Sequence, residues 1–305
     1  MQPDINTKFI TLVGTPLNQS FAARMQNTGY EAAGLNLCYF YTETDDSHLK
    51  EIVDGIRFMP SFIGAAITKP NKVKVLQYLD ELDPLCEKMG ASNTLVKLPD
   101  GKLKGYNTDG SGFLISLTEE GKINVAESSF FCIGAGGAGR AMCSILAYNG
   151  AKKIFVTDLF KDNAKQLVND INMNFAPVAE FVPYGTYDQL AECNVVMNAS
   201  GIGMDKTEGQ SPLPEEYIRD DQFYFDACYN PDKTQFLLNA EKHGCRILNG
   251  LGMSLYQGVV QIELWTGKKA MTEVMRQELI TIIKEKAWTD AHKDSSLFSE
   301  KKDGE

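Results

Sequence analysis

The fold is decided by the stretch SFFCI-GAGGAG-RAMCSILAYNG-AKKIFVTD, which runs from Ser129 to Asp158. A short apolar run leads through a glycine turn into a segment with helical periodicity, and a second apolar run follows. In such a unit Gly134 permits the tight turn, Gly136 lets backbone amides approach a pyrophosphate, and Gly139 lets the helix pack closely on the strand. The helix N-terminus adds partial positive charge. The stretch therefore predicts a βαβ dinucleotide-binding site.

Asp158 indicates which dinucleotide is preferred. It ends the second apolar run, 19 residues after Gly139. A carboxylate there can accept hydrogen bonds from the adenine ribose hydroxyls, whereas a 2′-phosphate would meet a like charge. We therefore expect NAD as the preferred cofactor and NADP as the alternative.

The composition is that of a globular protein with a sizeable core. The chain has 305 residues, 43% of them hydrophobic, which favours two domains over one. Its net charge of −10 argues against nucleic acid as a partner. The sequence has no signal-peptide pattern and no apolar run of about 18 residues, so we expect no membrane partner and a cytoplasmic location. The seven scattered cysteines favour buried free thiols over disulfides or metal ligands, and no metal is expected.

Polar residues gather where the first strands are predicted to end. An apolar run at 63–68 stops at Lys69 and Pro70, because proline removes a ladder donor and forces a turn. Open α/β sheets hold their ligands at the carboxyl ends of strands. The loops and strand ends of this half offer Ser20, Thr68, Lys72, Asn93, Asn107 and Asp109. The set predicts a site for a hydroxylated, anionic small molecule.

Further motifs follow in a fixed order. They are TKPNK at 68–72, SNT at 92–94, GYNTDG at 105–110, the glycine turn, NASGIGM at 198–204, DACYNP at 226–231 and GLGMSLYQ at 250–257. In order and spacing they resemble the shikimate dehydrogenase family, including its quinate/shikimate branch, over about residues 9–285. The resemblance implies an α/β fold, with an N-terminal α/β substrate domain and a doubly wound Rossmann dinucleotide-binding domain.

The same resemblance implies an activity and a set of site residues. The reaction would be a reversible hydride transfer between a ring alcohol (shikimate/3-dehydroshikimate) and the nicotinamide, with Lys72 and Asp109 as the catalytic pair that handles the proton. The implied substrate-binding residues are Ser20, Thr68, Asn93, Asp109, Tyr229 and Gln257. With the glycine turn and Asp158, the implied cofactor-binding residues are Gly134, Ala135, Gly136, Gly137, Ala138, Gly139, Asp158, Asn198, Ser200, Gly203, Met204 and Gly250.

Two positions depart from the family pattern. Ala22 stands where a second serine is common, and Ala66 where an asparagine is common. Each missing hydrogen bond to a charged group costs about 1.5–3 kcal/mol, which would weaken shikimate binding about tenfold to a hundredfold. Lys69 and Arg24 are candidates for compensating charge. A dehydrogenase of quinate or another cyclitol therefore stays open, as does an NAD-binding regulatory protein without turnover.

The predicted organisation has two parts. Residues 1–110 and 251–305 form the substrate domain, to which the C-terminal helices return, and residues 111–250 form the NAD(P)-binding domain. We expect helices over 74–82 and 272–286, a hairpin strand leading to Gly110, and a disordered tail over 288–305. The protein is expected to be a monomer or homodimer. The sequence leaves the biosynthetic or catabolic direction open.

Overall fold

Two six-stranded β-sheets form the framework of the protein. The computed structural model describes residues 2–17 and 20–292, with side chains to residue 285. Its described helices are α1 (Ala22–Ala32), α2 (Leu49–Phe58), α3 (Pro84–Met89), α4 (Thr108–Ile115), α5 (Gly137–Tyr148), α6 (Lys161–Asn174), α7 (Gln235–Lys242), α8 (Leu251–Thr266) and α9 (Thr272–His292). The predicted α/β fold with a Rossmann-type unit is confirmed.

The first sheet is mixed. Its strands are β1 (Lys8–Gly14), β2 (Leu37–Glu43), β3 (Phe62–Ile67), β4 (Glu81–Leu82), β5 (Thr94–Lys97) and β6 (Leu103–Tyr106), in the spatial order β2-β1-β3-β5-β6-β4. The first three strands in that order run parallel, and β5 runs antiparallel to both neighbours. The ends of β1 and β3 therefore lie together, and Thr68 N–H donates to the Val13 carbonyl over 2.9 Å.

Helices from both ends of the chain cover this sheet. Successive strand residues face opposite sides, so Leu12 packs in a cluster with residues of α1, α8 and α9, including Leu255. Val13 packs on the other side, with Val53 of α2. Trp265 of α8 donates its indole N–H to the Leu95 carbonyl over 2.8 Å. The C-terminal helices are thus anchored on the N-terminal sheet.

The second sheet is parallel throughout. Its strands are β7 (Ser129–Ile133), β8 (Lys153–Thr157), β9 (Ala179–Phe181), β10 (Val195–Asn198), β11 (Phe223–Asp226) and β12 (Arg246–Leu248), in the order β12-β11-β10-β7-β8-β9. This is the Rossmann order, and the order in which the strands are added reverses between β7 and β10. Helix α5 covers one face and α7 the other. The loops after β7 and β10 therefore border the crevice where such sheets bind ligands.

Two elements expected from the sequence differ in the structure. The predicted helix over 74–82 is wrong, since a single 3₁₀ segment, Lys74–Tyr78, is followed by β4. The helix in this region, α3, begins only at Pro84. Asp83 caps its N-terminus by accepting from the Leu85 amide over 3.0 Å. The strand predicted to reach Gly110 ends at Tyr106, and α4 begins at Thr108 with Asn107 as its cap.

The last helix is also longer than predicted. It continues through residues 288–292, which were expected to belong to a disordered tail, and its described part reaches His292. The remainder of that tail, residues 293–305, lies outside the described residues.

Candidate functional site

Lys72 is fixed by the turn that follows β3. The buried side chain of Asn71 donates to the Thr44 carbonyl over 3.2 Å, and the Asn71 amide donates to the Thr68 carbonyl over 2.9 Å. The Lys72 carbonyl accepts from the Ser92 amide over 2.8 Å. Lys72 is therefore tied to the segment that carries Asn93.

Asp109 lies in the first turn of α4, where the helix dipole favours a carboxylate. Its Oδ2 accepts from the Lys72 ammonium over 2.7 Å, and its Oδ1 accepts from the Asn93 amide group over 2.9 Å. The Lys72 and Asp109 side chains keep 33% and 21% of their surface exposed. The structure thus brings the predicted pair together and leaves it open to a small molecule.

Asn93 connects this pair to the interior. Its side-chain oxygen accepts from the Thr108 amide over 2.7 Å and from the Thr94 hydroxyl over 2.8 Å. The Thr94 oxygen in turn accepts from Gln261 of α8 over 2.9 Å. Because this network is buried and its members bond one another, it holds the Asn93 amide group aimed at Asp109.

One cavity of about 300 Å³ gathers the predicted substrate residues. It is lined by Ser20, Thr68, Lys72, Asn93, Asp109, Tyr229 and Gln257, and by Ala138 and Gly250 from the predicted cofactor set. Burial raises the pKa of the Tyr229 phenol, and a hydrogen bond with Ser254 opposes that shift in part. Tyr229 is therefore a neutral hydrogen-bond donor. The glycine-loop helix and the Lys72–Asp109 pair face the same space.

The glycine turn has the shape that a pyrophosphate requires. Gly134 has φ +110°, and a Cβ there would lie 2.5 Å from the Ser200 nitrogen. A Cβ on Gly139 would lie 2.9 Å from the Gly134 carbonyl carbon and closer still to its oxygen. A Cβ on Gly136 would meet nothing within 4 Å. The outer side of the turn is thus open at the N-terminus of α5, where backbone amides attract an anion.

A second cavity continues from this turn along the end of β8. It is lined by Gly134, Gly136, Asp158, Ser200 and neighbouring side chains. Asp158 accepts from the Ala135 amide over 2.7 Å through Oδ2 and from the Phe160 amide over 2.7 Å through Oδ1. Each carboxylate oxygen can accept a second bond. Asp158 therefore shapes the loop and remains able to bind hydroxyl groups.

Other residues of the predicted cofactor set lie behind the loops. Asn198 is fully buried and donates to the Ile202 carbonyl over 2.9 Å and to Asp226 over 3.0 Å. Gly203 has φ +108°, and a Cβ there would contact Thr234. Neither these two nor Ala135, Gly137, Gly139 or Met204 line the two cavities described above. Asn198 and Gly203 shape the loop after β10.

Asp226 is the centre of that buried network, and the sequence analysis did not single it out. It also accepts from the Thr234 hydroxyl over 2.6 Å and from the Cys228 amide over 2.9 Å. Burial raises the pKa of the Asp226 carboxyl, although these hydrogen bonds favour its charged form. The network fixes the loop after β10 against the segment that carries Tyr229.

Neither candidate for compensating charge reaches the cavity. Arg24 forms ion pairs with Glu278 and Glu285 of α9 on an exposed surface. Lys69 is exposed, and it does not line the cavity. The structure therefore provides no substitute at Ala22 and Ala66 from these two side chains.

Three polar cavity residues were missed by the sequence analysis. Gln261 follows Gln257 by four residues in α8, and that helical spacing was a signal that could have found it. Ser254 precedes Gln257 by one turn of the same helix. Tyr39 lines the cavity from β2, and its place in an apolar strand gave no sign that it would.

The described residues contain neither a membrane-spanning helix nor a cluster of metal ligands. None of their helices is both long and apolar enough to span a bilayer. Nor do these residues contain a group of three or more His, Cys, Asp or Glu side chains that could hold a metal ion.

Comparison with known proteins gives a consistent result. Residues 12–95 match the shikimate dehydrogenase substrate binding domain, and residues 250–280 match the shikimate 5′-dehydrogenase C-terminal domain. The shikimate dehydrogenase (NADP(+)) of Desulforamulus reducens is 38% identical over 277 residues, covering 90% of this chain and 94% of that protein.

Solved structures agree. Shikimate 5-dehydrogenase of Listeria monocytogenes, solved with shikimate and NAD, has a TM-score of 0.87 at 35% identity and covers 92% of this chain and 98% of that one. Quinate dehydrogenase of Corynebacterium glutamicum, solved with NAD, has a TM-score of 0.84 at 29% identity, with coverages of 90% and 99%. The chain therefore belongs to the shikimate dehydrogenase family.

Proposed function

We propose that this protein is a shikimate dehydrogenase-like oxidoreductase that transfers a hydride reversibly between a ring alcohol and a nicotinamide dinucleotide. The observation that supports this most directly is the Lys72–Asp109 pair, 2.7 Å apart in a cavity also bordered by Ala138 and Gly250. The bound nicotinamide would supply the hydride acceptor or donor. The relatives' named activities support the same reaction class.

The residues of the cavity would have different roles in the reaction. Lys72 would give a proton to the carbonyl oxygen during reduction and take it back during oxidation. Asp109 would orient Lys72 and accept a hydrogen bond from a ring hydroxyl, and Asn93 keeps Asp109 in place. Ser20, Thr68, Tyr229 and Gln257 would hold the other ring substituents. Charge development at the reacting oxygen would then occur beside a preorganised cation.

Reduction of NAD with shikimate and with quinate tests the proposal. Lys72→Met and Asp109→Asn should each lower kcat by about a hundredfold to ten-thousandfold, the usual contribution of a positioned proton-transfer group. Lys69→Met is the matched control, because it removes an exposed lysine three residues away and should leave kcat unchanged. Equal rates in the Lys72 variant and the control would contradict the proposal.

Two alternatives have distinct outcomes in that assay. Turnover of quinate or another cyclitol in preference to shikimate would assign the enzyme to that substrate, and the structural likeness to a quinate dehydrogenase supports including it. NAD binding without turnover of any ring alcohol would indicate a regulatory protein. The Lys72–Asp109 pair favours the enzyme, since a sensor does not need a proton-transfer group.

We propose further that NAD is preferred over NADP, although relatives are named as NADP(+) enzymes. Asp158 borders the second cavity, and its charge opposes a 2′-phosphate. Asp158→Ala should shift the NAD/NADP ratio of kcat/KM toward NADP by about tenfold, the value of roughly one charged hydrogen bond. Asp162→Ala, an exposed acid in the first turn of α6, is the control. An unchanged ratio in the Asp158 variant would refute this role.

We propose that the chain has the two domains predicted from the sequence. A substrate domain of 1–110 and 251–305 is supported by the anchoring of α8 and α9 on the first sheet. The NAD(P)-binding domain of 111–250 contains every strand of the second sheet. We also propose a cytoplasmic location, which the seven free thiols support. The proposed state is monomeric or homodimeric.

A further inference from the structure

Ser20 lies just before α1, and its hydroxyl group faces the cavity from there. The Ser20 amide donates to the Leu17 carbonyl over 2.9 Å, and the Ser20 hydroxyl oxygen accepts from the Ala22 amide over 3.3 Å. Because the oxygen accepts that bond, the hydroxyl proton remains available to a ligand. The direction in which Ser20 donates therefore depends on how its backbone is held.

The first amides of α1 need acceptors from outside the helix. Phe21 occupies the N-cap position, and its side chain forms no capping hydrogen bond. The Ala23 amide, which a polar N-cap side chain would normally satisfy, instead donates to the hydroxyl oxygen of Tyr41 over 3.2 Å. The Tyr41 hydroxyl donates its own proton to the Ser20 carbonyl over 2.7 Å. One phenol group thus joins the start of α1 to the backbone of Ser20.

Strand β2 places Tyr41 on the side of the sheet that α1 covers. Alternate residues of a strand face the same side, and Tyr39, two residues earlier, packs in the cluster that contains residues of α1. Glu43, two residues later, accepts from the Leu17 amide over 3.4 Å and so helps to hold the same turn. Tyr41 is 40% exposed and does not line the cavity. Its influence on a ligand would therefore pass through Ser20.

We propose that Tyr41 is a positioning residue, which directs the Ser20 hydroxyl toward the substrate by bridging the Ser20 carbonyl and the Ala23 amide. The inference rests on the proposed function, because it concerns the ring substituent that Ser20 would hold. Ser20 lies on a different segment from Lys72 and Asp109, which would handle the proton. Loss of the Tyr41 hydroxyl should therefore weaken the binding of substrate and transition state equally, which raises KM and leaves kcat unchanged.

Tyr41→Phe removes the phenol oxygen and keeps the ring. In NAD reduction with shikimate or quinate, whichever the wild-type enzyme oxidises more efficiently, the KM for the ring alcohol should rise about threefold to tenfold, the usual value of one hydrogen bond. The kcat and the KM for NAD should stay within about twofold of the wild-type values. Tyr217→Phe is the matched control, because Tyr217 is 41% exposed and lines neither cavity, and it should change none of these constants.

A double-mutant cycle tests whether Tyr41 acts through Ser20. Ser20→Ala should itself raise the KM for the ring alcohol, because it removes the donor. Tyr41→Phe in the Ser20→Ala background should then raise the KM no further, since the group that Tyr41 positions is gone. A purely structural role of Tyr41 would add the same rise in KM in both backgrounds, and that result would overturn the proposal.

The outcomes separate this inference from the proposed function. Turnover of a ring alcohol with an unchanged KM in Tyr41→Phe would overturn the inference and leave the oxidoreductase intact. A fall in kcat at unchanged KM would also overturn it, because Tyr41 would then affect the chemical step. Turnover of no ring alcohol by the wild-type protein would overturn the proposed function, and the inference with it.

Discussion

The glycine turn allows two neighbouring substitutions to be compared, Gly139→Ala and Gly136→Ala. At Gly139 the added Cβ would lie 2.9 Å from the Gly134 carbonyl carbon and closer to its oxygen. Both obstacles are backbone atoms, so the turn or α5 has to shift. Overpacking of this kind costs about 1–3 kcal/mol, and replacing glycine in a helix returns about 1 kcal/mol. Because the obstacles are backbone atoms, we expect the upper part of that range, a net destabilisation of about 1–2 kcal/mol.

The same shift should impair NAD binding. If it misaligns two amides that bind the pyrophosphate, at about 1.5–3 kcal/mol each, the Kd rises by a hundredfold or more. At Gly136 the methyl group meets no protein atom within 4 Å, and φ −72° suits alanine. Gly136→Ala should therefore fold normally and obstruct only the cofactor, raising the Kd about tenfold.

Calorimetric titration with NAD and thermal unfolding measure the two effects. Gly139→Ala should lower the melting temperature by several degrees, since 1 kcal/mol corresponds to about 2–4 °C for a domain of this size. Gly136→Ala should leave the melting temperature unchanged. Wild-type Kd values in both variants would refute the placement of the pyrophosphate, and an unchanged melting temperature in Gly139→Ala would refute the packing argument.

Two further predictions concern charges. Asp226→Asn places an amide among three donors and should lower the free energy of unfolding at pH 7 by about 1–3 kcal/mol in urea titrations, whereas the exposed Asp221→Asn should change it by less than about 1 kcal/mol. Because burial raises the pKa of Asp226, the folded state binds the carboxyl proton more tightly than the unfolded state does. The contribution of this group to the free energy of unfolding therefore declines as the pH rises from about 4 through the raised pKa. Asp226→Asn should abolish that decline. Arg24→Ala should leave the KM for shikimate unchanged, because Arg24 is held by α9; a several-fold rise in KM would show that it reaches the substrate.

Local signals accounted for the elements that the sequence predicted well. The β7–α5–β8 unit combines apolar periodicity with glycines whose roles depend on near neighbours. The predicted helix over residues 74–82 was wrong because the end of that segment forms β4, whose partner strand, β6, lies about twenty residues away. Strand pairing of that kind is set by tertiary contacts that local patterns do not contain.

The site residues that belong to sequence motifs could be predicted. The partners of residues such as Arg24 could not, because contacts between distant parts of the chain determine them. The Arg24 side chain was a candidate for charge compensation, and its actual partners lie 254 and 261 residues further along the chain. The buried Asp226 network likewise depends on residues from other parts of the chain, Asn198 and Thr234. No spacing rule distinguishes these residues from ordinary strand residues.

The crossing of α4 and α8 explains how distant motifs form one cavity wall. A Cβ on Gly112 would lie 2.5 Å from the Gln257 nitrogen and 2.6 Å from the Met253 oxygen, so the two helices touch through their backbones at that glycine. Asp109 lies one turn before Gly112, and Gln257 lies at the contact itself. The lack of a side chain at position 112 thus lets the helices that carry Asp109 and Gln257 approach each other closely. Helix α8 also packs on the first sheet, whose strand β3 leads into the turn that carries Lys72. The crossing of α4 and α8 therefore holds Asp109 in position to contact Lys72.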